Sequence, residues 1–144
     1  MLVSQILKSK PTGGVITIAP GTDVAQAAGI LSEKRIGALI VSADGKVPLG
    51  IVSERDIVRE LGRRGEVCLG DEVDALMTRK LVTCTGECST DEVLTRMTNG
   101  RFRHMPVMQG DEMIGVISIG DVVKARLDEL ARENEALQGM IMGH

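Results

Sequence analysis

The feature that most constrains this chain is that its sequence is written twice. Residues 50–58 (GIVSERDIV) align with residues 115–123 (GVISIGDVV), so that Ser53 corresponds to Ser118 and Asp56 to Asp121. An internal repeat of this kind indicates a duplicated structural unit. Three further pairs of segments lie upstream, in the same order in both copies: 3–7 (VSQIL) with 73–77 (VDALM), 16–17 (IT) with 82–83 (VT), and 39–41 (LIV) with 105–107 (MPV). The loop 11–14 (PTGG) makes the first copy longer.

Each copy predicts the same order of elements: strand, helix, strand, strand, helix. Asp23 followed by Gln26, and Ser89 followed by Glu92, are typical of helix N-termini, because an N-cap oxygen accepts a hydrogen bond from the first turn. Short apolar runs between turns predict strands, and their nearly continuous apolar character indicates sheets covered on both faces. The predicted strands are 15–18, 38–42 and 49–52, then 81–85, 104–108 and 113–118, and the later helices begin at Ser53 and Ser118.

The 144 residues are expected to form an α/β (α+β) fold of two β-α-β-β-α repeats with a C-terminal helical extension. One copy alone is too small to bury a stable core, so we expect the copies to pack as a pseudo-twofold pair. The predicted boundaries are residues 1–65 for the first repeat, 66–80 for a linker and the entry helix of the second, 81–126 for the second repeat, and 127–144 for the C-terminal helix and tail.

Composition argues against several classes of function. The net charge of −3 and the single aromatic residue, Phe102, leave neither a basic face nor a stacking platform for nucleic acid. The longest apolar run, residues 36–41, is far shorter than the roughly 18 residues that a membrane-spanning helix needs. Residues 1–10 also lack the charge order of a secretory signal. These observations predict a cytoplasmic protein that binds neither nucleic acid nor membrane.

The cysteines Cys68, Cys84 and Cys88 are accordingly expected to be thiols in a reducing compartment. Cys88 precedes a predicted helix start, where a thiolate is stabilised, so it is the candidate for a reactive thiol. His104 and His144 do not complete a spacing typical of zinc sites, so no metal site is expected.

The repeated Ser-x-x-Asp motif follows an apolar strand at Ser53–Asp56 and again at Ser118–Asp121. One interpretation is a capping box, in which Ser caps the helix and the carboxylate returns the hydrogen bond. The other is a ligand site, in which the helix N-terminus faces an anion and the Asp accepts hydrogen bonds from the hydroxyls of a ribose. Because Asp is shorter than the Glu or Gln of the usual box, its length favours the second interpretation.

The start of the middle strand is where the two copies differ most. The first copy has Gly37-Ala38, whose exposed backbone leaves room for a flat base, whereas the second has Arg103-His104. A guanidinium fork and an imidazole are suitable donors to phosphate oxygens, so Arg103 and His104 are candidate phosphate contacts. The alternative is a solvated charged face, which is the interpretation preferred for Arg101.

Motifs of nucleotide-hydrolysing and triad enzymes are not found. There is no Walker A or dinucleotide-binding glycine pattern, and His104 is the only internal histidine available to a nucleophile. We therefore predict a non-enzyme.

The C-terminal segment predicts a helix that self-associates. Val123, Leu127, Leu130, Asn134 and Leu137 are spaced four, three, four and three apart, which is a heptad seam with one polar position. The alternative is a helix end that packs on its own body.

These residues together carry a family resemblance. Two β-α-β-β-α units that each end in G-[IV]-[VI]-S-x-x-D-[IV]-V, with [LM]-x-V in the preceding strand, resemble tandem cystathionine-β-synthase-type (CBS) domains, and in particular the stand-alone bacterial two-CBS proteins. The resemblance implies a disc with two clefts between the repeats, which bind AMP, ADP, ATP, NADH or S-adenosylmethionine. It also implies a regulatory, homodimeric protein with an unidentified protein target.

The resemblance assigns residues to each cleft. In the first cleft, Asp121 would hold the ribose, and Ser118 and Thr17 would contact the phosphate or the ribose edge. The backbone of Gly37-Ala38, flanked by Ile18 and Ile36, would contact the adenine. Arg103 and His104 would neutralise the phosphate. The second cleft would use Thr83, Arg103, His104, Met105, Ser53, Arg55 and Asp56. The competing hypotheses are a structural dimerisation module without a ligand and, less favoured, a nucleotide hydrolase.

Overall fold

The computed structural model describes residues 1–10 and 15–142; the loop 11–14 and His144, both discussed above, lie outside the described residues. Within the described ranges, capped amphipathic segments form helices and the apolar runs form short strands. The α-helices are α1 (Val3–Ser9), α2 (Val24–Lys34), α3 (Glu54–Arg64), α4 (Thr90–Gly100) and α5 (Ile119–Ile141), and the strands are β1 (Thr17–Ile18), β2 (Ala38–Val41), β3 (Gly50–Ser53), β4 (Cys84–Thr85), β5 (His104–Gln109) and β6 (Glu112–Ser118). Short 3₁₀ helices, Gly65–Gly70 and Val73–Ala75, lie in the linker and at the predicted entry helix of the second repeat.

The described residues divide into two compact units, each with its own core. The α5 unit contains residues 1–10, 83–107 and 115–142, and the α3 unit contains residues 15–82 and 108–114. Both cores consist of aliphatic and sulfur-containing side chains, whose burial supplies the main driving force for folding. The α5 unit buries Val3, Ile6, Cys84, Val93, Met97, Met105, Val107, Ile117, Val122 and Ala125, and the α3 unit buries Ile18, Val24, Ala27, Leu31, Leu39, Val41, Val52, Ile57, Val73 and Met77.

Each repeat supplies a three-stranded sheet, with orders β1-β2-β3 and β4-β5-β6. In the first sheet β1 is parallel to β2, the connection between them running through α2, and β2 is antiparallel to β3. The mixed α/β fold with a long C-terminal helix is as predicted. Strands β1 and β4 are shorter than predicted, since in the first sheet only Thr17 and Ile18 find partners, Ile40 and Val41. Burial alternates along β6, so the expectation that both faces are covered is wrong for that strand.

The segment that precedes each repeat packs on the core of the other repeat. Leu2 forms a β-bridge with Ser89, and Glu72 forms the equivalent bridge with Asp23. Val3 and Val73, which follow these bridges, are both fully buried. The correspondence between 3–7 and 73–77 in the sequence thus holds for the β-bridge and the buried valine, although the first segment forms the α-helix α1 and the second a short 3₁₀ helix at Val73–Ala75. It also explains why the α5 unit combines α1 with the second repeat.

A glycine in the last strand of each repeat, β3 or β6, allows the segment that precedes the other repeat to pack closely against that strand. A Cβ built on Gly50 would lie 2.5 Å from Met77 Sδ, and one built on the aligned Gly115 would lie 2.7 Å from Leu7 Cδ2. The absence of a side chain at these positions therefore permits close packing. Both repeats therefore have a glycine at this position for the same packing reason.

Thr90 is buried although its side chain carries a hydroxyl group. It lies on the buried face of α4 with Val93 and Met97 and is 2% exposed. Its Oγ1 donates a 3.1 Å hydrogen bond to Glu129 Oε1 on α5. A buried hydroxyl with a partner avoids the penalty for an unsatisfied polar group, so Thr90 joins α4 to α5.

The glycine packing predicts the effect of adding one methyl group. In Gly50→Ala the new Cβ meets Met77 and also approaches the backbone oxygen of Thr78 at 3.1 Å, so the free energy of unfolding should fall by about 1–3 kcal/mol. Gly29→Ala is the matched control, since Gly29 lies inside α2 with no atom within 4 Å of the added carbon. That variant should gain up to about 1 kcal/mol from helix propensity. Urea unfolding measures both, and a Gly50→Ala variant as stable as the parent would contradict the packing described.

Candidate functional site

The Ser-x-x-Asp motif lies at a strand-to-helix junction in each unit. Ser53 ends β3 and is the N-cap of α3, and Ser118 ends β6 and is the N-cap of α5. Both serines have extended backbone conformations, which leaves the first N–H groups of the helix pointing outward, where an acceptor is needed. We refer to residues 53–56 and 118–121 as the α3 turn and the α5 turn.

Both turns are capping boxes. Ser118 Oγ accepts from the backbone N–H of Asp121 at 3.1 Å, and Asp121 Oδ2 accepts from the N–H of Ser118 at 2.9 Å. In the α3 turn the same two distances are 3.2 Å and 2.8 Å. The expectation that the shorter Asp side chain favours outward use is therefore wrong for Oδ2, because Asp reaches the N-cap N–H without strain on the turn.

The second oxygen of each carboxylate is what remains for a ligand. Within the described residues the hydrogen bonds of Asp121 involve Oδ2, and its Oδ1 accepts none. Asp56 Oδ1 has only an ion pair with Arg59 at 3.6 Å, and the Arg59 side chain is 68% exposed. Capping and hydroxyl binding are consequently compatible in the same carboxylate, one oxygen serving each.

Asp121 is held in its charged form. Partial burial by itself would raise its pKa, but the hydrogen bond from the Ser118 N–H and the ammonium of Lys10 outweigh burial and lower the pKa below the ordinary value. Lys10 Nζ lies 2.9 Å from Asp121 Oδ2. A carboxylate that stays ionised is an acceptor of hydrogen bonds only, which is the state that suits sugar hydroxyls.

The starts of the middle strands adjoin these turns within each unit. The N–H of Ile119, the first residue of α5, donates to the carbonyl of Arg103 at 2.8 Å. Glu54, the first residue of α3, donates in the same way to Gly37 at 2.9 Å. The α5 unit therefore brings Arg103 and His104 to Ser118 and Asp121, and the α3 unit brings Ile36, Gly37 and Ala38 to Ser53 and Asp56; Arg103 is exposed, and His104, Gly37 and Ala38 are half-buried.

The remaining candidates range from exposed to fully buried positions. Thr17 and Thr83 are half-buried, and the Thr83 carbonyl accepts from Arg96 at 3.0 Å. Arg55 is exposed on α3. Ile18 and Met105 lie in the cores, with 6% and 0% exposure, so that their side chains serve packing and their backbone is what they offer to a ligand.

The possible metal ligands, the cysteines and the helices of residues 1–10 and 15–142 have the following properties. No group of three or more His, Cys, Asp or Glu side chains is arranged to hold a metal ion. Burial raises the pKa of Cys84 to about 11, which keeps it a thiol. Cys88 is half-buried, and its sulfur accepts from the Thr85 N–H at 3.5 Å. None of the described helices is both long and apolar enough to cross a bilayer.

Comparison with known proteins now assigns the family. The CBS domain family matches the chain twice, at residues 3–63 and 72–128. The chain belongs to the CBS domain family. A curated CBS relative, the mitochondrial CBS domain-containing protein CBSX3 of Arabidopsis thaliana, is 33% identical over 148 aligned residues that cover 98% of this chain and 72% of the relative.

Solved CBS structures share the fold. A CBS-domain containing protein from Agrobacterium tumefaciens is 40% identical, with a TM-score of 0.83 over 88% of this chain and 99% of its own. A CBS domain protein from Pyrobaculum aerophilum, solved with AMP, is 24% identical with a TM-score of 0.77 over 92% and 99%. A CBS domain pair solved with 5′-methylthioadenosine and S-adenosyl-L-methionine is 24% identical with a TM-score of 0.77 over 90% and 98%.

The residue that sequence analysis missed is Lys10. It precedes the loop 11–14 and is separated from Asp121 by 111 positions, so no local pattern connects them. The repeat alignment did contain a signal, since extending the match of 3–7 with 73–77 pairs Lys10 with Lys80. A lysine kept at the same position in both copies is a candidate for a shared role.

The lowered pKa of Asp121 predicts a pH-dependent contribution to stability. A carboxylate whose folded-state pKa is depressed stabilises the fold above its ordinary pKa, and this contribution disappears as the pH falls below about 4. Asp121→Asn should therefore lower the free energy of unfolding by about 1 kcal/mol at pH 7 and by progressively less below pH ~4. Asp111→Asn, on the exposed turn between β5 and β6, should change neither value. Urea unfolding across this pH range is the measurement, and a difference for Asp121→Asn that does not shrink in acid would contradict the ionised state described.

Proposed function

We propose that this CBS protein is a regulatory module that binds an adenosyl ligand, AMP or a related adenine nucleotide, at its Ser-x-x-Asp turns. The observation that carries the proposal is the arrangement of the α5 turn, in which a helix N-terminus and an ionised Asp121 lie beside Arg103 and His104. Within the described residues, Asp121 Oδ1 accepts no hydrogen bond. CBS proteins of the same fold that were solved with AMP, or with S-adenosyl-L-methionine, support the ligand class.

Each proposed role follows from the chemistry of the side chain. Asp121 and Asp56 accept hydrogen bonds from ribose hydroxyls through Oδ1, while Oδ2 keeps its capping bond. Arg103 and His104 donate to phosphate oxygens, since a planar guanidinium forms paired charge-assisted bonds. Small residues leave backbone accessible to a flat base. Gly37 and Ala38 contact adenine, with Ile18 and Ile36 beside them. The ribose edge or phosphate is contacted by the hydroxyl side chains Ser118, Ser53, Thr17 and Thr83. Arg55 and Met105 contribute to the second cleft.

Regulation requires that the ligand bind one conformation better than another. A ligand shifts a two-state equilibrium only by its difference in affinity for the two states. Couplings of about 1–3 kcal/mol, or roughly 5- to 150-fold, are usual between linked sites. We propose that occupancy of the turns is transmitted in this way to a protein target.

Ligand-dependent stabilisation tests the proposal. AMP, ADP, ATP, NADH and S-adenosylmethionine are added to the parent protein and the free energy of unfolding is measured, a ligand at about 100 times its Kd adding about 2.7 kcal/mol. Asp121→Asn keeps an acceptor for the Ser118 N–H but weakens the ribose contact, so it should reduce the stabilisation, and Asp56→Asn tests the α3 turn in the same way. Asp111→Asn, on the exposed turn between β5 and β6 and outside both Ser-x-x-Asp turns, is the control.

Two results, one from this experiment and one from an assay of phosphate release by the protein with ATP, would favour other functions. If no adenosyl ligand stabilises the parent protein, the capping boxes are purely structural and the protein is a dimerisation module, which is the alternative that the boxes themselves favour. If ATP is consumed with release of phosphate, the protein is a hydrolase. Either result would refute the regulatory binding proposed.

We propose further that the protein forms a homodimer through α5. The helix has 23 residues, and only Val122 and Ala125 on it are buried. The predicted seam is exposed, with Leu127 at 60% and Leu137 at 58%, which is not the arrangement expected of a helix end packed on its own body. Leucines spaced as heptad positions are suited to a second copy of the same helix.

A single charge on the seam should disrupt the dimer. Leu127→Glu adds one negative charge at a seam position, so the dimer should dissociate at least tenfold more readily, which corresponds to about 1.4 kcal/mol. Arg132→Gln changes the charge by the same amount at a position off the seam and should leave association unchanged. Sedimentation equilibrium of the parent and both variants measures it. A parent that is monomeric at all concentrations, or equal dissociation of the three proteins, would contradict the proposal.

A further inference from the structure

The ammonium of Lys10 occupies the α5 turn. Lys10 Nζ donates to Asp121 Oδ2 and to the carbonyl of Val116, both at 2.9 Å. The side chains of Lys10 and Asp121 are 28% and 25% exposed, so the pair is more sheltered than a surface ion pair between mobile side chains. Lys10 follows α1, and its two contacts fix that end of the segment against β6, which contains Val116, and against the first turn of α5, which contains Asp121.

The α3 turn lacks this cation. Its corresponding carboxylate, Asp56, uses Oδ2 to accept from the N–H and the Oγ of Ser53, at 2.8 Å and 2.9 Å. Lys80, which aligns with Lys10, is exposed and makes no hydrogen bond or ion pair within the described residues. The two repeats therefore share the lysine in sequence, but only the α5 turn has it in contact with the carboxylate.

A fixed ammonium changes which adenosyl ligands suit the turn. A ribose whose hydroxyls reach Asp121 Oδ1 carries its 5′ substituent only a few bonds away, within range of the charge on Lys10. An ammonium has three donors, and two of those on Lys10 are used by Val116 and Asp121. The third can meet a phosphate oxygen, whereas a neutral 5′-hydroxyl gains little from the charge and a sulfonium is repelled.

We propose that Lys10 is a specificity-determining residue of the α5 turn, selecting adenosyl ligands with a 5′-phosphate over those with a neutral or cationic 5′ group. The inference rests on the proposed function, in which the ribose binds at Asp121. It goes further by assigning the choice among AMP, adenosine and S-adenosylmethionine to a residue outside the Ser-x-x-Asp motif.

Calorimetric titration of the full chain with AMP, adenosine and S-adenosylmethionine tests the assignment. Replacing Lys10 by Met keeps the length of the side chain and removes the charge. The affinity for AMP should then fall by about tenfold or more, that for adenosine should stay within about threefold, and that for S-adenosylmethionine should stay equal or rise. Lys80→Met is the matched control and should leave all three affinities unchanged. Lys10→Arg, which keeps the charge, should retain the preference for AMP.

The outcomes separate the two proposals. A parent that binds none of the three ligands refutes the proposed function, and the selectivity of Lys10 with it. A parent that binds AMP, with an unchanged ratio of AMP to adenosine affinity in Lys10→Met, refutes the role of Lys10 alone. An equal gain in affinity for all three ligands would show that Lys10 only obstructs Asp121, which also overturns the proposal. Unfolding midpoints without ligand confirm that each variant is folded, and loss of the AMP preference in Lys10→Met with its recovery in Lys10→Arg supports the assignment.

Discussion

The interaction on which the rest of the structure depends is the reciprocal hydrogen bonding of Ser and Asp where a strand becomes a helix. In both repeats the serine closes the last strand and opens the last helix, and the aspartate one turn on binds back to the serine N–H. This geometry fixes the direction in which the helix N-terminus points. In the α5 turn, no described residue donates a hydrogen bond to the other carboxylate oxygen, Asp121 Oδ1. The residue that caps the helix is therefore also the one that we propose as an acceptor for a sugar.

Duplication produces two such turns, but it does not make them equal. The repeats exchange their entry segments in equivalent ways, with Leu2 bridging to Ser89 and Glu72 to Asp23. The strand starts have diverged, small residues standing in one copy where Arg103 and His104 stand in the other. The lysine of the entry segment contacts the carboxylate in the α5 turn alone. The two copies of the repeat therefore carry chemically different turns, and any ligand that both turns bind is expected to have a different affinity for each.

The sequence predicts the local structure well because the signals are local. Asp23, Ser53, Ser89 and Ser118 all cap helices where their spacing to the first-turn partner indicates. Strand limits are predicted less well, since β1 begins at Thr17, opposite Ile40, and not at Val15, and no pattern within 15–18 contains that information. The Lys10–Asp121 contact joins residues 111 positions apart and depends on how α1 packs against the second repeat. The site residues named from the motif stay predictions, because neither the fold nor the family match tests them.

The most direct test of the central claim is a crystal structure of the protein grown with AMP. The account predicts the ribose hydroxyls on Asp121 Oδ1, with Oδ2 still accepting from the Ser118 N–H. AMP bound elsewhere on the protein, with neither Asp121 nor Asp56 touching its ribose, would contradict it.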